Sequence, residues 1–246
     1  MKLSGNTILI TGGATGIGLA LAEAFVKTGN EVIVCARTEE NLEAAKKKVP
    51  QLHVKICDVS KEADREALYD WAVSNFKGLN VLINNAGIQR MIDFRKGTED
   101  LTMHRSADGE DEIEVNFRAL VYMTALFTPH LMKQKEAAIM NVSSGLAFYP
   151  MPMMPVYCAT KAAVHTFSLT LRQQLEGTSV KVFELIPPMV DTNLDKGARK
   201  ARGQTYFGIT TAELVPHAMK AFETDEYEIR VTDPNLTTRM GHSPKK

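Results

Sequence analysis

The chain of 246 residues is 44% hydrophobic and 24% charged, with 29 Lys and Arg against 29 Asp and Glu. This composition is typical of a globular protein, and the zero net charge gives no reason to expect nucleic acid or an anionic membrane as a partner. Polar residues interrupt the start of the chain and no run of about 18 apolar residues occurs, so neither a signal peptide nor a membrane span is predicted. Three cysteines (Cys35, Cys57 and Cys158) and six histidines lack metal-ligand spacing, which predicts no metal site and favours the reducing cytoplasm.

Residues 7–11 form a short β-branched run that predicts a buried parallel strand. A glycine-rich turn follows directly, and an amphipathic helix is predicted from about Gly18 to Thr28. A strand, a glycine turn and a helix form the arrangement that binds dinucleotides, because glycine lets the backbone approach a pyrophosphate and the helix N-terminus offers free N–H groups. The predicted cofactor contacts in this turn are Gly12, Thr15, Gly16, Ile17 and Gly18.

The second predicted strand, residues 31–36, is followed at once by Arg37. An acidic residue at this end of the strand would accept hydrogen bonds from the adenosine ribose. The planar guanidinium of Arg37 suits a 2′-phosphate instead. The sequence therefore predicts NADP(H) in preference to NAD(H).

The third predicted strand, residues 53–57, leads into Asp58 and Val59, which are both predicted cofactor contacts. The Asp58 carboxylate can accept a hydrogen bond from the adenine amino group. It can also cap the helix that is predicted to begin near Ser60. The pattern allows both roles.

A fourth strand is predicted at residues 81–83, and residues 84–87 (Asn-Asn-Ala-Gly) follow it. Small and amide residues at the carboxyl end of a strand belong at the ligand crevice of an open α/β sheet. The next segment, residues 88–109, is irregular and polar, and a long helix containing Asn116 is predicted for residues 112–132. The predicted cofactor contacts from this part of the chain are Asn85, Ala86 and Gly87.

The stretch from residue 137 onward has the residues best suited to proton transfer. Residues 137–142 predict a buried strand, and Ser144 follows its end. Tyr157 and Lys161 are four residues apart, so a helix places both side chains on one face. A nearby ammonium lowers the pKa of a tyrosine, which can then exchange a proton with an alcohol. A lone pair of this spacing is more often an ordinary helix surface, so the residues alone leave that alternative open.

Taken together, these segments resemble the short-chain dehydrogenase/reductase family in its compact form of about 250 residues. Residues 11–18 are similar to its TGxxxGxG loop and residues 84–87 to its NNAG motif. Ser144 precedes Tyr157 by thirteen residues, the spacing usual in the family, whereas Ser143 is the less suitable serine. Four residues fall where the family has its catalytic tetrad: Asn116, Ser144, Tyr157 and Lys161.

The family resemblance implies a fold and a mechanism. The fold is a single α/β domain over residues 1–246, a Rossmann-type doubly wound parallel sheet of about seven strands in the order 3-2-1-4-5-6-7 with helices on both faces. Tyr157 exchanges a proton with a carbonyl or secondary alcohol, and Lys161 lowers the Tyr157 pKa and bonds to the nicotinamide ribose. Ser144 polarises the substrate oxygen, and Asn116 holds a water that connects Lys161 to solvent.

One loop departs from the family pattern. The family usually has Pro-Gly after the sixth strand, whereas this chain has Pro187 and Pro188, and proline fixes φ and lacks an N–H. The resemblance still implies that Pro187, Val190 and Thr192 contact the cofactor, with Val190 and Thr192 at the nicotinamide carboxamide.

Several further expectations follow from the resemblance. The Pro-Pro pair, a Met-rich loop at residues 148–155 and the ending at residues 233–235 resemble the DltE-like reductases of bacterial cell-envelope operons, a likeness that names no substrate. Residues 193–208 are expected to form a substrate lid and residues 240–246 a flexible tail. The partners implied are a small-molecule carbonyl or alcohol substrate and further copies of the chain, in a homodimer or homotetramer.

Two other functions remain open for such a sequence. One is a regulator that binds NADP without turnover, against which the complete tetrad argues. The other is a nucleotide-sugar epimerase or dehydratase, but these usually carry GxxGxxG, and Leu19 occupies the position of its last glycine.

Overall fold

A computed structural model describes residues 1–103, 111–194, 200, 203 and 208–233. In this part of the chain seven strands form one parallel sheet in the order β3-β2-β1-β4-β5-β6-β7, which confirms the predicted fold and strand order. The strands are β1 (Thr7–Thr11), β2 (Glu31–Ala36), β3 (His53–Ile56), β4 (Leu79–Asn84), β5 (Ala137–Val142), β6 (Val180–Ile186) and β7 (Glu228–Arg230).

Helices cover both faces of this sheet. The helices are α1 (Gly16–Lys27), α2 (Glu39–Lys48), α3 (Glu62–Asn75), α4 (Thr98–Met103), α5 (Ala119–Leu131), α6 (Pro155–Gln174) and α7 (Thr211–Thr224). Two short 3-10 helices, Phe94–Lys96 and Gly145–Ala147, lie in the connections. The first of these and α4 fall in the segment predicted to be irregular, so that prediction was wrong for part of residues 88–109.

The side chains of β1 show why the sheet needs two helical layers. Ile8 and Ile10 point into a core formed with α1, α2 and α7, and Leu9 points into a second core formed with α3, α5 and α6. A parallel strand buried on both faces reads as a continuous apolar run. The strand order reverses direction between β1 and β4, which opens a crevice at their carboxyl ends.

The predicted continuous helix over residues 112–132 was wrong in one respect. A π-helical segment, Glu114–Arg118, precedes α5, and the Ala119 N–H bonds back five residues to the Glu114 carbonyl. Single-turn π segments widen the backbone locally and are frequent at functional sites. Asn116 lies at the middle of this segment and is buried.

Most of the predicted lid at residues 193–208 and all of the predicted tail at residues 240–246 lie outside the described residues. Among the helices that are described, none combines the length and the apolarity needed to cross a membrane.

Candidate active site at the carboxyl edge of the sheet

Hydrogen bonds tie the carboxyl ends of β1 and β4 together. The Thr11 hydroxyl accepts from the backbone N–H groups of Asn85 and Ala86, at 3.0 and 3.1 Å. The Asn85 amide donates in turn to the carbonyls of Thr11 and Gly12, at 3.0 and 3.1 Å. The Asn85 side-chain amide nitrogen therefore stabilises the glycine turn.

The glycine turn has no room for side chains. A Cβ atom on Gly12, whose φ is +62°, would lie 2.9 Å from the Ala86 Cα. On Gly18 it would lie 2.5 Å from both the Asn85 amide nitrogen and the Gly12 carbonyl oxygen. Helix α1 begins at Gly16, with Thr15 at its N-cap and Ile17 in its first turn, and has no acidic residue in that turn and no side-chain cap. Its first N–H groups are therefore left for an anion.

The predicted adenosine end lies at β2 and β3. Arg37 is exposed just after β2. The Asp58 carboxylate accepts from the backbone N–H of Ser60 at 3.0 Å and from its hydroxyl at 2.7 Å. Because α3 begins at Glu62, Asp58 caps the turn before the helix and not the helix itself, so the capping prediction was only partly right. Val59 lines a small cavity together with Ala86 of the fourth strand's end.

Lys161 is buried at the other end of the crevice. Its ammonium donates to the Val142 carbonyl at 2.9 Å, at the end of β5, and lies 5.6 Å from the centre of the Tyr157 ring. Burial lowers the Lys161 pKa to about 8, and the negative charge of Glu184 opposes that shift. The distance to the Tyr157 ring is within the range of a cation–π contact.

Asn116 is oriented by three hydrogen bonds. Its carbonyl oxygen accepts from the Ile88 N–H at 2.7 Å, and its amide donates to the Ile88 carbonyl at 2.8 Å and to the Thr160 hydroxyl at 3.2 Å. A Cβ on Gly87 would lie 3.3 Å from the Asn116 carbonyl oxygen and 3.7 Å from the Lys161 nitrogen. Gly87, Asn116 and Lys161 are therefore close together in space, although they belong to three separate segments of the chain.

Ser144 follows β5 and starts a 3-10 turn. Its hydroxyl oxygen accepts from the Leu146 N–H at 3.1 Å, which leaves the hydroxyl hydrogen for another acceptor. The neighbouring Ser143 is buried, and its hydroxyl has no hydrogen-bond partner among the described residues. Tyr157 packs in a small apolar cluster whose other members are Met91, Leu146, Met151, Met154 and Cys158.

The loop after β6 lies close to both the turn of Ser144 and the start of α1. The Pro187 carbonyl accepts from the Gly145 N–H at 2.9 Å, which joins this loop to the turn of Ser144. Val190 pairs with Ile209 as an isolated bridge. A Cβ on Gly16 would lie 3.4 Å from Thr192, so the loop reaches the start of α1.

The residues predicted to contact the two ends of the cofactor lie at two separate places along the carboxyl edge of the sheet. Arg37 follows β2, whereas Lys161 bonds to the end of β5, three strand intervals away. At about 4.8 Å per interval the separation is about 14 Å, which suits an extended dinucleotide lying across the edge. The glycine turn lies between the two groups, where a pyrophosphate would be.

Sequence reasoning missed three buried polar groups near this edge. The Thr11 hydroxyl bonds to Asn85, and the Thr160 hydroxyl bonds to Asn116. Of these two threonines, only Thr11 could have been found from the sequence, because it is the threonine of the TGxxxGxG loop. Glu184 had a clear signal, since it is a charged residue within the apolar run of β6.

Glu112 is a further buried carboxyl group that the sequence did not single out. One of its oxygens accepts from the Arg90 N–H at 2.8 Å. Burial raises its pKa to about 7, against the opposing effect of that hydrogen bond and of the Arg90 charge. The segment after Gly87 is therefore held by a hydrogen bond to Glu112, a carboxyl group with a pKa of about 7.

The sheet, the glycine turn and the crevice define a dinucleotide-binding α/β protein. The sequence model of the family described as short chain dehydrogenase matches residues 6–203. The uncharacterized oxidoreductase DltE of Bacillus subtilis is 56% identical over 93% of this chain and 89% of its own length. The chain therefore belongs to the short-chain dehydrogenase/reductase family, and it is an NAD(P)-dependent dehydrogenase/reductase.

Other relatives agree with this assignment. The NADP-dependent 3-hydroxy acid dehydrogenase YdfG of Salmonella typhi is 32% identical over 82% of each chain. A short-chain dehydrogenase from Sphingobium yanoikuyae, solved with NADPH, is 28% identical, has a TM-score of 0.78, and is matched over 94% of this chain and 88% of its own. A Burkholderia phymatum family member solved with NAD has a TM-score of 0.85 over 100% and 98% of the two chains, but at 21% identity it supports the fold alone.

Proposed function

We propose that the protein transfers hydride between NADP(H) and the carbonyl or secondary alcohol group of a small molecule. The observation that carries this proposal is the buried Lys161 ammonium, bonded to the end of β5 and 5.6 Å from the centre of the Tyr157 ring. A cation beside a phenol favours the phenolate. Tyr157 is thereby suited to exchange a proton with a substrate oxygen near neutral pH.

Each tetrad residue has a task in this proposal. Tyr157 gives a proton to the substrate oxygen in reduction and takes it back in oxidation. Ser144 donates its free hydroxyl hydrogen to the same oxygen and so stabilises the charge that develops there. Lys161 keeps Tyr157 reactive, and Asn116 holds a water between Lys161 and solvent. When bound, the cofactor supplies or accepts the hydride.

The residues of the glycine turn and of the loop after β6 fit the cofactor. Gly12, Gly16 and Gly18 leave bare backbone beside the uncapped N-terminus of α1, which suits a pyrophosphate. The backbone of Asn85, Ala86 and Gly87 would border the nucleoside groups, with Asp58 and Val59 at the adenine. Pro187, Val190 and Thr192 would contact the cofactor, with Val190 and Thr192 at the nicotinamide carboxamide.

Arg37 supports NADP(H) as the preferred cofactor. It is exposed at the end of β2, where a 2′-phosphate would lie, and the relative named YdfG is NADP-dependent. We expect Arg37→Gln to lower the preference for NADPH over NADH, measured as the ratio of kcat/KM values, by about 10-fold to 100-fold, because a charge-assisted bond to the phosphate is lost.

The matched control for Arg37 is Lys47→Gln, which removes an exposed cation from α2. Its cofactor ratio should equal that of the unaltered protein. An Arg37→Gln protein with an unchanged ratio would show that NADPH preference, if present, comes from other residues.

The reaction itself is tested with a panel of aldehydes, ketones, secondary alcohols and 3-hydroxy acids, each assayed with both cofactors. Cofactor oxidation or reduction at 340 nm identifies the substrate class and the direction. Binding of NADPH without turnover on any member of a broad panel would contradict the proposed reaction.

An apolar face around the π segment and α5 is suited to contact further copies of the chain. Two exposed apolar side chains are Ile113, just before the π segment, and Tyr122, on α5. Phe117 of the π segment packs on Phe167 of α6, with ring centres 6.2 Å apart. This apolar face supports a homodimer or homotetramer, and Tyr122→Glu should lower the mass measured by light scattering. A mass equal to that of one chain in the unaltered protein would refute the assembly.

The cysteines Cys35, Cys57 and Cys158 are all free, which supports the cytoplasm as the site of action. The 56% identity to DltE supports a DltE-like role, with the cell-envelope association that the sequence resemblance implied. We also propose a single catalytic domain in which residues 193–208 cover the substrate.

A further inference from the structure

Behind the tetrad lies a buried acid that the proposed reaction does not use. Glu184, on β6, is fully buried. One of its oxygens lies 2.8 Å from Nδ1 of His165, and an ionised carboxylate only accepts, so the imidazole N–H donates. The other oxygen has no hydrogen-bond partner within the described part of the chain. A carboxylate buried in this way is costly and calls for a compensating charge nearby.

A buried ammonium lies on the same face of α6 as His165. Lys161 and His165 are four residues apart, so they lie on one side of that helix. The Glu184 side chain points to the same side of the sheet as Val180 and Val182, whose core lies beneath α6. The charge of Glu184 raises the Lys161 pKa and thereby opposes the lowering by burial.

The other charged groups around α6 are engaged elsewhere. Strand β5 contributes none, and the 3-10 turn Gly145–Ala147 contributes none. The charged residues of the π segment pair with each other or with α3, namely Glu114 with Arg118 and Arg65. At the amino end of β6, Lys181 pairs with Asp225 and Glu136.

The remaining charged groups near α6 belong to its own last turn and to β7. Glu228 of β7 lies beside Glu184 in the sheet register, and its carboxylate is paired with Arg172 of α6 at 4.0 Å and with Arg230 of β7 at 3.1 Å. Arg172 also donates to the Val182 carbonyl, and the Arg230 guanidinium lies 4.4 Å from the Phe148 ring, which in turn packs on His165. Glu184 is the charged group that raises the pKa of Lys161.

We propose that Glu184 is a positioning residue for the proton-transfer site, whose carboxylate, held by His165, keeps the buried Lys161 ammonium charged. This deepens the proposed function, because it rests on the role given there to Lys161. The carboxylate acts through Lys161 and touches neither substrate nor cofactor.

The sign of the expected effect follows from the charges. Removing the Glu184 charge removes an interaction that raises the Lys161 pKa, so burial then acts with less opposition. Lys161 should lose its proton at a lower pH in Glu184→Gln. The alkaline fall of kcat/KM, if Lys161 must be charged, should move to lower pH with it.

The direct test is NMR titration of the full-length chain labelled with 13C at the lysine Cε, which needs no substrate. The Lys161 signal is assigned by its loss in Lys161→Met. In the unaltered protein it should titrate near pH 8, and in Glu184→Gln at lower pH, while Glu184→Asp, which retains the charge, should stay near the unaltered value.

The matched control is Asp225→Asn. It removes the carboxylate that is paired with Lys181, a lysine on the same strand as Glu184. Asp225 has a φ of +59°, a conformation that asparagine tolerates, so the substitution adds no backbone strain. The Lys161 titration should not change in this variant. A Lys161 titration in Glu184→Gln equal to that in Asp225→Asn overturns the proposal.

His165→Phe decides the matter if Glu184→Gln does not fold. Without its donor the buried carboxylate takes up a proton more readily, so the Lys161 titration should move in the same direction by a smaller amount. An unchanged titration there would also overturn the proposal. Failure of the proposed function is recognised separately, because Tyr157→Phe would then keep its turnover whatever Lys161 does.

Discussion

Replacing Tyr157 by phenylalanine should lower turnover by at least about 100-fold, the usual contribution of a positioned acid or base. The substitution removes the phenolic oxygen and leaves the ring, which is buried among methionines and lies 5.6 Å from the Lys161 ammonium. The apolar packing and the glycine turn are untouched. NADPH affinity, measured by the quenching of protein fluorescence, should therefore change little.

The control for this substitution is Tyr149→Phe in the connection between β5 and α6, the helix that carries Tyr157. Tyr149 is 81% exposed, so the loss of its hydroxyl should alter neither turnover nor melting temperature. Retention of full turnover in Tyr157→Phe, with Tyr149→Phe as the reference, would remove Tyr157 from the mechanism. A parallel loss of NADPH binding would instead indicate that the hydroxyl serves the cofactor site.

Substitution of Gly18 by alanine should weaken both the fold and the cofactor site. The added Cβ would lie 2.5 Å from the Gly12 carbonyl and the Asn85 amide, which are bonded to each other. Either that bond breaks or α1 moves away from the turn. Overpacking of this kind costs about 1–3 kcal/mol, and each kcal/mol lowers Tm by about 2–4 °C in a chain of this size.

Gly78→Ala provides the comparison for Gly18. A Cβ at Gly78 would lie 3.6 Å from the Thr7 hydroxyl, an ordinary contact, and Gly78 does not have a positive φ. Its Tm and its NADPH affinity should be nearly those of the unaltered protein. Equal NADPH affinity in Gly18→Ala and Gly78→Ala would mean that the glycine turn does not cradle the cofactor.

The two substitutions test different halves of the same crevice. Tyr157 lies in the first turn of α6, near Lys161, and Gly18 lies in the first turn of α1, after β1. Loss of turnover with intact binding in the first, and loss of binding in the second, would separate chemistry from cofactor binding. A hydride-transfer enzyme needs both, since the cofactor brings the hydride and the protein handles the proton.

The amino-acid sequence by itself determined the strands, most helices and the position of the glycine turn. These features depend on residues close together in the chain: the β-branched run of β1, the apolar run of β5, and the glycines at residues 12–18. Parallel strands also end at one edge, so Ser144 and residues 84–87 could be expected near each other before any coordinates.

Only the tertiary structure decided what each polar side chain does at that edge. Asn85 bonds to Thr11 and Gly12, more than seventy residues earlier in the chain, and the π segment of Asn116 accompanies hydrogen bonds to Ile88. Glu184 reaches His165 in the same way, across the gap between sheet and helix. Local periodicity carries no information on such partners, because a hydrogen bond depends on where two distant segments meet in space.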